Sequence, residues 1–450
     1  MDPASTSVRD ILGFVRRGAA LFAENVDLAL VAARFGTPLY VYSRAALAAS
    51  AKELLDAPPE EAPHRIFYAV KANGTLALLE LVRDLGCDFE VGSKGELARV
   101  LAVGVAPSRI LYSGVGKRDD EIDAALGANV RYLSVESESE LVAIARLAAT
   151  RGQRAAISLR VNPEVDAATH PHIMTALAGS KFGVRLSELL PLAERALALP
   201  SIALCGLTCH VGSQIVSLEP FRAAAAEVTR LAHELVARGA PLTFVGVGGG
   251  LGVRYAEETP PSRADFIAAV RAALAPSHLD VVFEPGRALI AEAGVLVTRV
   301  VRVKSGLGRR LAIVDAGMND LIRPALYGAY HHIEPVRQSD AAPAPTEVVG
   351  PVCESADTFG EPRLLPQLAE GDLLAIHTAG AYGFAMGSNY NGRPRPAEVL
   401  VDGDRVLLIR ERERVTDLWR GERLLDGSRA PSVLAGLLDP ADDGRKGEPP

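Results

Sequence analysis

The sequence predicts an α/β protein, a closed (β/α)8 barrel followed by a mostly β domain. The chain has 450 residues, which is more than one ordinary domain and favours two. Between about residue 64 and residue 285, eight short strand candidates alternate with helix-like stretches, a rhythm that fits a closed barrel. A doubly wound sheet has the same rhythm and stays open as an alternative. Beyond residue 287, strand candidates continue without regular helices between them.

The strand candidates of the barrel are short and mostly apolar, as strands buried on both faces should be. They span residues 65–71, 88–91, 109–113, 130–135, 155–161, 203–210, 242–247 and 280–284. The stretches between them either place apolar residues at helical spacing or are rich in Ala, Leu, Glu and Arg. They predict helices over residues 76–85, 96–102, 137–149 and 221–238.

The predicted β domain begins where the helical spacing stops. Its strand candidates span residues 295–303, 311–315, 347–352, 373–377, 398–401 and 406–410, and an Ala/Pro-rich stretch at 338–345 predicts a loop. We therefore expect a barrel over residues 44–286 and a β domain over residues 287–425, to which an N-terminal segment, residues 1–43, contributes. The polar composition of residues 426–450 predicts a flexible tail.

The composition argues against several kinds of partner. A net charge of −7 and a pI near 5.8 leave no basic field for a nucleic acid. No apolar run reaches membrane-spanning length, and the N-terminus lacks a secretion-type apolar stretch. The four cysteines are scattered, which indicates a reduced, cytoplasmic protein. Cys205 and Cys209 lie on a predicted strand and are interpreted as buried thiols, so no metal site is expected.

Polar residues fall at the downstream ends of the predicted strands. They are Lys71, Glu90, Ser113, Asn162, His210, the glycines at 248–250, and Glu284. Active sites of (β/α)8 barrels form at that face, and random placement would not favour one end of every strand. We therefore expect these residues to surround a single site.

Each of these residues also has a plainer interpretation. Lys71 suits covalent attachment of a cofactor, provided that partial burial lowers its pKa, but it could equally reach solvent. The glycines at 248–250 and the EPGR motif after them could hold a phosphate or form tight turns. Glu284 could keep a pyridine nitrogen protonated or pair with an arginine. His210 could stack on a flat ring or be a core histidine, and Ser213 could bind phosphate or close a turn.

Two motifs in the second half of the chain suit an amino-acid substrate. Arg323, with Tyr327 and Tyr330 nearby, is an arrangement that suits a carboxylate, although a surface loop has the same composition. The motif GPVCES places Cys353 and Glu354 after an apolar strand. The thiol could deliver a proton and the carboxylate could hold an ammonium group, whereas a buried structural cysteine is the alternative.

Together these motifs resemble those of the fold-type III decarboxylases, which use pyridoxal 5'-phosphate (PLP). The motifs, which occur in a single order over roughly residues 36–417, are YAVKAN, SGVGK, RVNP, HVGSQ, GGGLG, EPGR, DAGMNDLIRPALYGAYH, GPVCES and GAYGFAMGSNYNGRPRPAEVLVDG. The stretches DLIRPALYGAYH and YNGRPRPAEVLVDG are similar to those of the diaminopimelate decarboxylases. The resemblance implies an alanine racemase-like barrel with a C-terminal, mostly β domain. It also implies conversion of meso-2,6-diaminopimelate to L-lysine and CO₂, the last step of lysine biosynthesis.

The resemblance implies how the cofactor would be held. Lys71 would bind PLP covalently, His210 would stack on its ring, and Glu284 would pair with its ring nitrogen. The phosphate would be held by Ser213, Gly250 and the loop from Glu284 to Arg287, which includes Gly286. Tyr382 would lie beside the cofactor and the substrate.

The resemblance also implies the substrate contacts. Arg287, Arg323 and Tyr327 would bind a carboxylate, and Glu354 would bind the distal amino group. Cys353 would deliver a proton from the neighbouring subunit of a homodimer, so that each active site would be shared.

Three positions depart from the family pattern. Glu90 stands where aspartate is usual, Lys94 where glycine is usual, and Ala288 where serine is common. These changes concern substrate tuning rather than the class of reaction. Two other functions stay open: a decarboxylase of the same fold that acts on ornithine, arginine or a carrier-bound amino acid, and a PLP-binding protein without catalytic activity.

Overall fold

The structure is a computed structural model that describes residues 13–56, 64–164, 181–274, 279–306 and 309–429. Most of the predicted tail, residues 430–450, lies outside this part of the chain. The described residues before the first barrel strand form a small antiparallel sheet, a helix, a single strand and a second helix. These elements are β1 (Phe14–Arg17), β2 (Ala20–Ala23), β3 (Val26–Asp27), α1 (Leu28–Phe35), β4 (Leu39–Ser43) and α2 (Arg44–Leu55).

The predicted (β/α)8 barrel is confirmed. Its parallel strands close in the order β10-β11-β12-β5-β6-β7-β8-β9. The strands are β5 (His64–Ala69), β6 (Asp88–Val91), β7 (Ile110–Tyr112), β8 (Tyr132–Val135), β9 (Ala155–Arg160), β10 (Ile202–Thr208), β11 (Phe244–Gly248) and β12 (Asp280–Phe283). The helices between them are α3 (Leu76–Asp84), α4 (Lys94–Ala102), α5 (Asp119–Ala128), α6 (Glu138–Thr150), α7 (Leu186–Ala198), α8 (Glu219–Ala237) and α9 (Arg263–Leu274).

The strands of the barrel are nearly wholly buried, which is why their sequences are continuously apolar. Phe67, Leu111, Phe244 and Val282, from four different strands, form one separate cluster. A much larger cluster joins the strands to the surrounding helices. Several strands end one or two residues before their predicted ends, because the polar residues at their downstream ends belong to loops.

The region after the barrel is mostly β, as predicted. Its elements are α10 (Arg287–Ile290), β13 (Gly294–Gly306), β14 (Arg309–Val314), α11 (Arg323–Tyr327), β15 (Ile333–Pro335), β16 (Ala344–Val349), β17 (Arg363–Leu365), β18 (Leu373–Ile376), β19 (Ala397–Asp402) and β20 (Arg405–Arg410). β16 begins inside the stretch that was predicted to be a loop. The short strands β15 and β17 were not predicted, because three residues are too few to show an alternating pattern.

Strand β4 joins the N-terminal segment to the C-terminal sheet. It pairs antiparallel with β13 and parallel with β19 in a nine-stranded sheet. Phe14, Leu21 and Leu28 belong to the same buried hydrophobic cluster as Val295 and Val297 of β13. Residues before the barrel therefore contribute to the β-rich region, while residues after β4 return to the barrel.

Candidate active site

The turn that carries Lys71 follows β5 directly. The sequence predicted that Lys71 ends the strand, but the strand ends at Ala69 and Lys71 lies in a 3₁₀ turn, Val70–Ala72. The turn is held by contacts that are remote in sequence: Ala69 N donates to Pro285 O (3.1 Å), and Tyr382 N donates to Ala72 O (2.8 Å). About half of the Lys71 side chain, 53%, remains exposed, so its amine is accessible at the mouth of the barrel.

Glu90 sets the electrostatic state of Lys71. Its carboxylate lies 3.6 Å from Lys71 Nζ and also accepts a hydrogen bond from Ser113 Oγ. The attraction of Glu90 raises the pKa of Lys71 and outweighs the opposite effect of burial. The expectation of a lowered lysine pKa is therefore wrong for the protein without a ligand. The amine is protonated and paired with a carboxylate.

Glu284 lies at the end of β12 with its carboxyl group near the same charges. Burial, followed by the negative charge of Glu90, raises its pKa to about 7, although Arg160 and Lys71 oppose this. Arg160 is itself paired with Glu136 at 2.6 Å. Glu284 can therefore gain or lose a proton near neutral pH in the protein without a ligand.

His210 follows β10 and is a neutral imidazole. Burial lowers the pKa of His210 well below its ordinary value, and the charges of Lys71 and Arg160 lower it further. Its Nδ1 accepts a hydrogen bond from Gly249 N (3.2 Å), so the proton of the neutral ring is assigned to Nε2. This bond fixes the imidazole against the glycine-rich loop.

The loops after β10, β11 and β12 approach so closely that glycine is required in them. Gly250 has φ +102°, and a Cβ there would lie 2.4 Å from Gly212 O. A Cβ at Gly286 would lie 3.0 Å from Ala72 Cβ, in the turn that carries Lys71. The glycines predicted to bind phosphate therefore line the same narrow region as the lysine.

Two arginines occupy the adjoining part of the site. Arg287 donates from Nη1 to Tyr255 Oη (2.7 Å) and from Nη2 to Ser213 Oγ (2.9 Å). The Arg323 guanidinium carbon lies 4.5 Å from the centre of the Tyr255 ring, and the Arg287 carbon lies 4.9 Å from that of Tyr382. Tyr382 adopts a left-handed backbone conformation, φ +56°, which is costly for a tyrosine and is frequent at functional sites.

Neither arginine is neutralised by a carboxylate of the described residues. Both are at least nine-tenths buried, with 7% of Arg287 and 5% of Arg323 exposed. Their Nε atoms have no acceptor among the described residues. Burial has the largest effect on the pKa of each arginine, followed by nearby tyrosines and, for Arg323, by the charge of Arg287. Buried cations are costly unless they are paired, so this pair fits an anion. Tyr327 belongs to the same group, since it is near enough to affect the pKa of both arginines.

Cys353 and Glu354 do not join this cluster in their own chain. Both are exposed, and they bond within the β-rich region: Cys353 N donates to Asn391 Oδ1 (3.5 Å) and Asp357 N donates to Glu354 O (3.0 Å). Cys353 was considered as a buried cysteine, and the structure rules that out. The loop is ordered by Asp357, whose carboxylate accepts from Val352 N and Met318 N.

Three residues of the site were not identified from the sequence. Tyr255 lies five residues after Gly250, and His331 follows the YGAY motif. Tyr255 is almost fully buried and His331 is fully buried, and both contact Arg323. Only the position of Tyr255, close behind the glycine-rich motif, could have indicated from the sequence that it belongs to the site. Glu136, the partner of Arg160, was missed as well.

These residues fit PLP. Lys71 offers an accessible amine for its aldehyde, the glycine loops and Arg287 suit a phosphate, and Glu284 offers a carboxyl group for the ring nitrogen. Within the described ranges, no group of three or more His, Cys, Asp or Glu residues could hold a metal ion. Among the helices of the same ranges, none is long and apolar enough to cross a membrane.

Comparison with known proteins identifies the family. Residues 45–291 match the family described as pyridoxal-dependent decarboxylase, pyridoxal binding domain. The chain is 48% identical to the diaminopimelate decarboxylase of Pseudomonas aeruginosa, over 92% of this chain and 99% of that protein. It is 46% identical to that of Vibrio cholerae, over 90% and 97%.

Solved structures agree with the sequence comparison. The diaminopimelate decarboxylase of Helicobacter pylori, complexed with L-lysine, has a TM-score of 0.84 at 40% identity and covers 87% of this chain and 98% of its own. The enzyme from M. jannaschii, also with L-lysine, has a TM-score of 0.88 at 34% identity, over 91% and 98%. The chain therefore belongs to the PLP-dependent decarboxylases, in the diaminopimelate decarboxylase family.

Proposed function

We propose that this chain uses PLP to remove CO₂ from meso-2,6-diaminopimelate and releases L-lysine. The observation that carries the proposal is the pair of buried arginines, Arg287 and Arg323, which no carboxylate of the described residues neutralises. Diaminopimelate has two carboxylates, and the one that is kept in lysine suits an arginine fork. The names of the similar proteins, and the L-lysine in two similar structures, support the same substrate.

The residues around Lys71 would hold the cofactor, each through a different part of it. When bound, PLP supplies an electron-withdrawing ring that accepts the electron pair left on Cα as CO₂ departs. Lys71 would hold the cofactor through its amine, and Ser213, Gly250, Gly286 and Arg287 would hold its phosphate. The neutral His210 would lie against the ring. Glu284 would hold a proton at the ring nitrogen.

The substrate would be held at both ends. Arg323, Tyr327 and Arg287 would bind the carboxylate that stays, and Glu354 would bind the distal ammonium group, while Tyr382 would lie between cofactor and substrate. The Cys353 thiol would give its proton to Cα, where the bond to CO₂ breaks, and would regain a proton from water. Lys71 is the alternative donor.

A homodimer with shared active sites belongs to this proposal. Cys353 and Glu354 are exposed on a loop, and Cys353 bonds Asn391. An exposed loop suits an interface between subunits. We propose that this loop completes the site of the partner subunit. The four free cysteines suit a reducing compartment, and we propose that the enzyme works in the cytoplasm.

Release of CO₂ and amine products from a panel of substrates tests the function. The protein saturated with PLP should convert meso-diaminopimelate to equal amounts of CO₂ and L-lysine. Ornithine, arginine and lysine should react at least about 100-fold more slowly in kcat/KM, because the buried arginines would lack a carboxylate to pair with. Comparable kcat/KM for ornithine or arginine would reject diaminopimelate as the substrate, and no CO₂ from any amino acid would reject a decarboxylase.

A further inference from the structure

Arg323 is held on two sides by residues that have no assigned role. Its guanidinium carbon lies 4.5 Å from the centre of the Tyr255 ring, and its Nη1 donates to His331 Nε2 at 2.8 Å. Tyr255 is 4% exposed and His331 is fully buried. The two rings pack against each other edge to face, with centroids 5.1 Å apart. Three segments of the chain thus meet around one guanidinium.

His331 orients Arg323 without neutralising it. Because Nε2 accepts from Arg323, the imidazole proton lies on Nδ1, which donates to His377 O at 2.8 Å. Burial, together with the charge of Arg323, lowers the pKa of His331 to about 3, so the ring is neutral at physiological pH. A carboxylate in this position would have cancelled the charge of the arginine. A neutral acceptor leaves that charge for a ligand.

Tyr255 connects the two arginines. Its hydroxyl accepts from Arg287 Nη1 at 2.7 Å, while its ring face lies against Arg323. One phenol therefore contacts both of two like charges that repel each other. Its ring also offers Arg323 a favourable cation–π contact.

Building on the proposed function, we propose that Tyr255 and His331 are positioning residues that hold Arg323 for the carboxylate that the product keeps. They thereby set the preference of the site for an amino acid over the corresponding diamine. Neither residue would touch the reacting atoms, because both act through the arginines.

Two ligands with the same five-carbon chain between their amino groups isolate the contribution of the carboxylate to binding. L-Lysine keeps the carboxylate and 1,5-diaminopentane lacks it, and the binding of each to the PLP-loaded enzyme can be followed by the absorbance of the bound cofactor without turnover. Variants at His331 form a matched pair. The amide of His331→Asn can reach only the position of Nδ1, whereas that of His331→Gln can reach the position of Nε2 and accept from Arg323.

His331→Asn should weaken L-lysine binding by about 10- to 100-fold, the usual effect of losing a hydrogen bond to a charged group, and leave diaminopentane binding unchanged. His331→Gln should recover most of the preference. The KM for diaminopimelate should rise more than kcat falls. His64→Asn is the control, because His64 begins β5 at the opposite end of the barrel and its ring bonds Leu54 O.

Tyr255 provides a second, independent pair. Tyr255→Phe keeps the ring beside Arg323 and removes the acceptor of Arg287, so it should reduce the preference for L-lysine less than Tyr255→Leu, which removes both. This pair tests the proposal if the His331→Asn protein does not fold.

Equally weakened binding of both ligands, or an unchanged preference for L-lysine in His331→Asn and Tyr255→Leu, would overturn the proposal. A wild-type enzyme that binds L-lysine but releases no CO₂ from diaminopimelate would instead reject the proposed function.

Discussion

Lys71 Nζ lies 3.6 Å from a carboxylate oxygen of Glu90, and this pairing keeps the lysine protonated when no ligand is bound. The cofactor must therefore compete with Glu90 for the amine. Glu90 stands where the resemblance to the family leads us to expect an aspartate, and its carboxylate lies one methylene further from the backbone. Because Ser113 donates to the other oxygen of the same carboxylate, Glu90 is fixed in place.

Lys71 is expected to be the one lysine that binds PLP covalently. Lys71→Ala should abolish both covalent attachment and decarboxylation, whereas Lys94→Ala should retain both, since Lys94 pairs with Asp120 at the surface. Reduction with borohydride followed by peptide mapping should find the cofactor on the peptide that contains Lys71. Lys117 is an unsuitable amine, because Gly114 O, Ser134 O and Glu140 occupy its three donors. Label on Lys94 or Lys117 would contradict the assignment.

The fold could be predicted from the sequence because strands buried on both faces need continuously apolar residues. The ends of the strands could not be predicted with the same accuracy. Lys71 was assigned to a strand because YAVK is apolar, but the contacts of Ala69 with Pro285 and of Tyr382 with Ala72 impose a turn. Such contacts join residues more than 200 positions apart, and no local pattern encodes them.

The site could be predicted only in part, because contacts between distant segments also determine which residues belong to it. Strand-end position and family motifs identified the residues that surround Lys71 and the arginines. Tyr255 and His331 were missed, because a buried tyrosine or histidine has the same appearance in a sequence whether it packs in a core or holds an arginine. Only the meeting of β11, α11 and their loops distinguishes these cases.

Glu284→Gln should retain PLP but lose most activity. The amide cannot hold a proton at the ring nitrogen as a carboxylate can, so the cofactor would withdraw electrons less strongly. We expect kcat to fall by about 100-fold or more, the range found when a preorganised electrostatic group is removed. The measurement is the rate of CO₂ release from protein whose absorbance shows full PLP occupancy. Near-normal turnover would mean that Glu284 serves only as an ion-pair partner.

The same residue should make the stability of the PLP-free protein depend on pH. The folded protein raises the pKa of Glu284 from 4.5 to about 7, so between these values it holds a proton that the unfolded chain has lost. This contribution of Glu284 to stability therefore decreases as the pH rises through that window. Relative to wild type, the Tm of PLP-free Glu284→Gln should rise from pH 4.5 to pH 7 and level off above it. A Tm difference that is constant with pH would contradict the raised pKa.

Arg323→Lys should weaken the use of diaminopimelate more than it weakens PLP binding. A lysine keeps the charge but cannot form the planar two-point contact with a carboxylate, nor the same contact with the Tyr255 ring. We expect kcat/KM to fall by about 10- to 100-fold, mostly through KM, while cofactor absorbance stays the same. Arg109→Lys is a suitable control, since Arg109 is partly buried but pairs with Asp88 at the start of β6, away from the substrate. A fall in PLP occupancy equal to the fall in kcat/KM would assign Arg323 to the cofactor instead.

The last prediction concerns Cys353, which the chain places on an exposed loop apart from its own Lys71. If the loop enters the partner's site, two inactive variants should rescue each other. In a dimer of Lys71→Ala and Cys353→Ala subunits, one site would contain both wild-type residues and the other would contain neither. Equal mixing makes about half of the dimers mixed, each with one intact site of two, so about a quarter of wild-type activity should return.

The subunits must first exchange, by mild dissociation or by co-expression with two different affinity tags, so that mixed dimers can be purified and counted. Mixing Lys71→Ala with Glu284→Gln subunits is the matched control. Both lesions then lie in the barrel of their own chain, every site carries at least one of them, and activity should stay at the level of the separate variants. Purified mixed dimers of Lys71→Ala and Cys353→Ala that are no more active than the separate variants would show that Cys353 does not complete the partner's site.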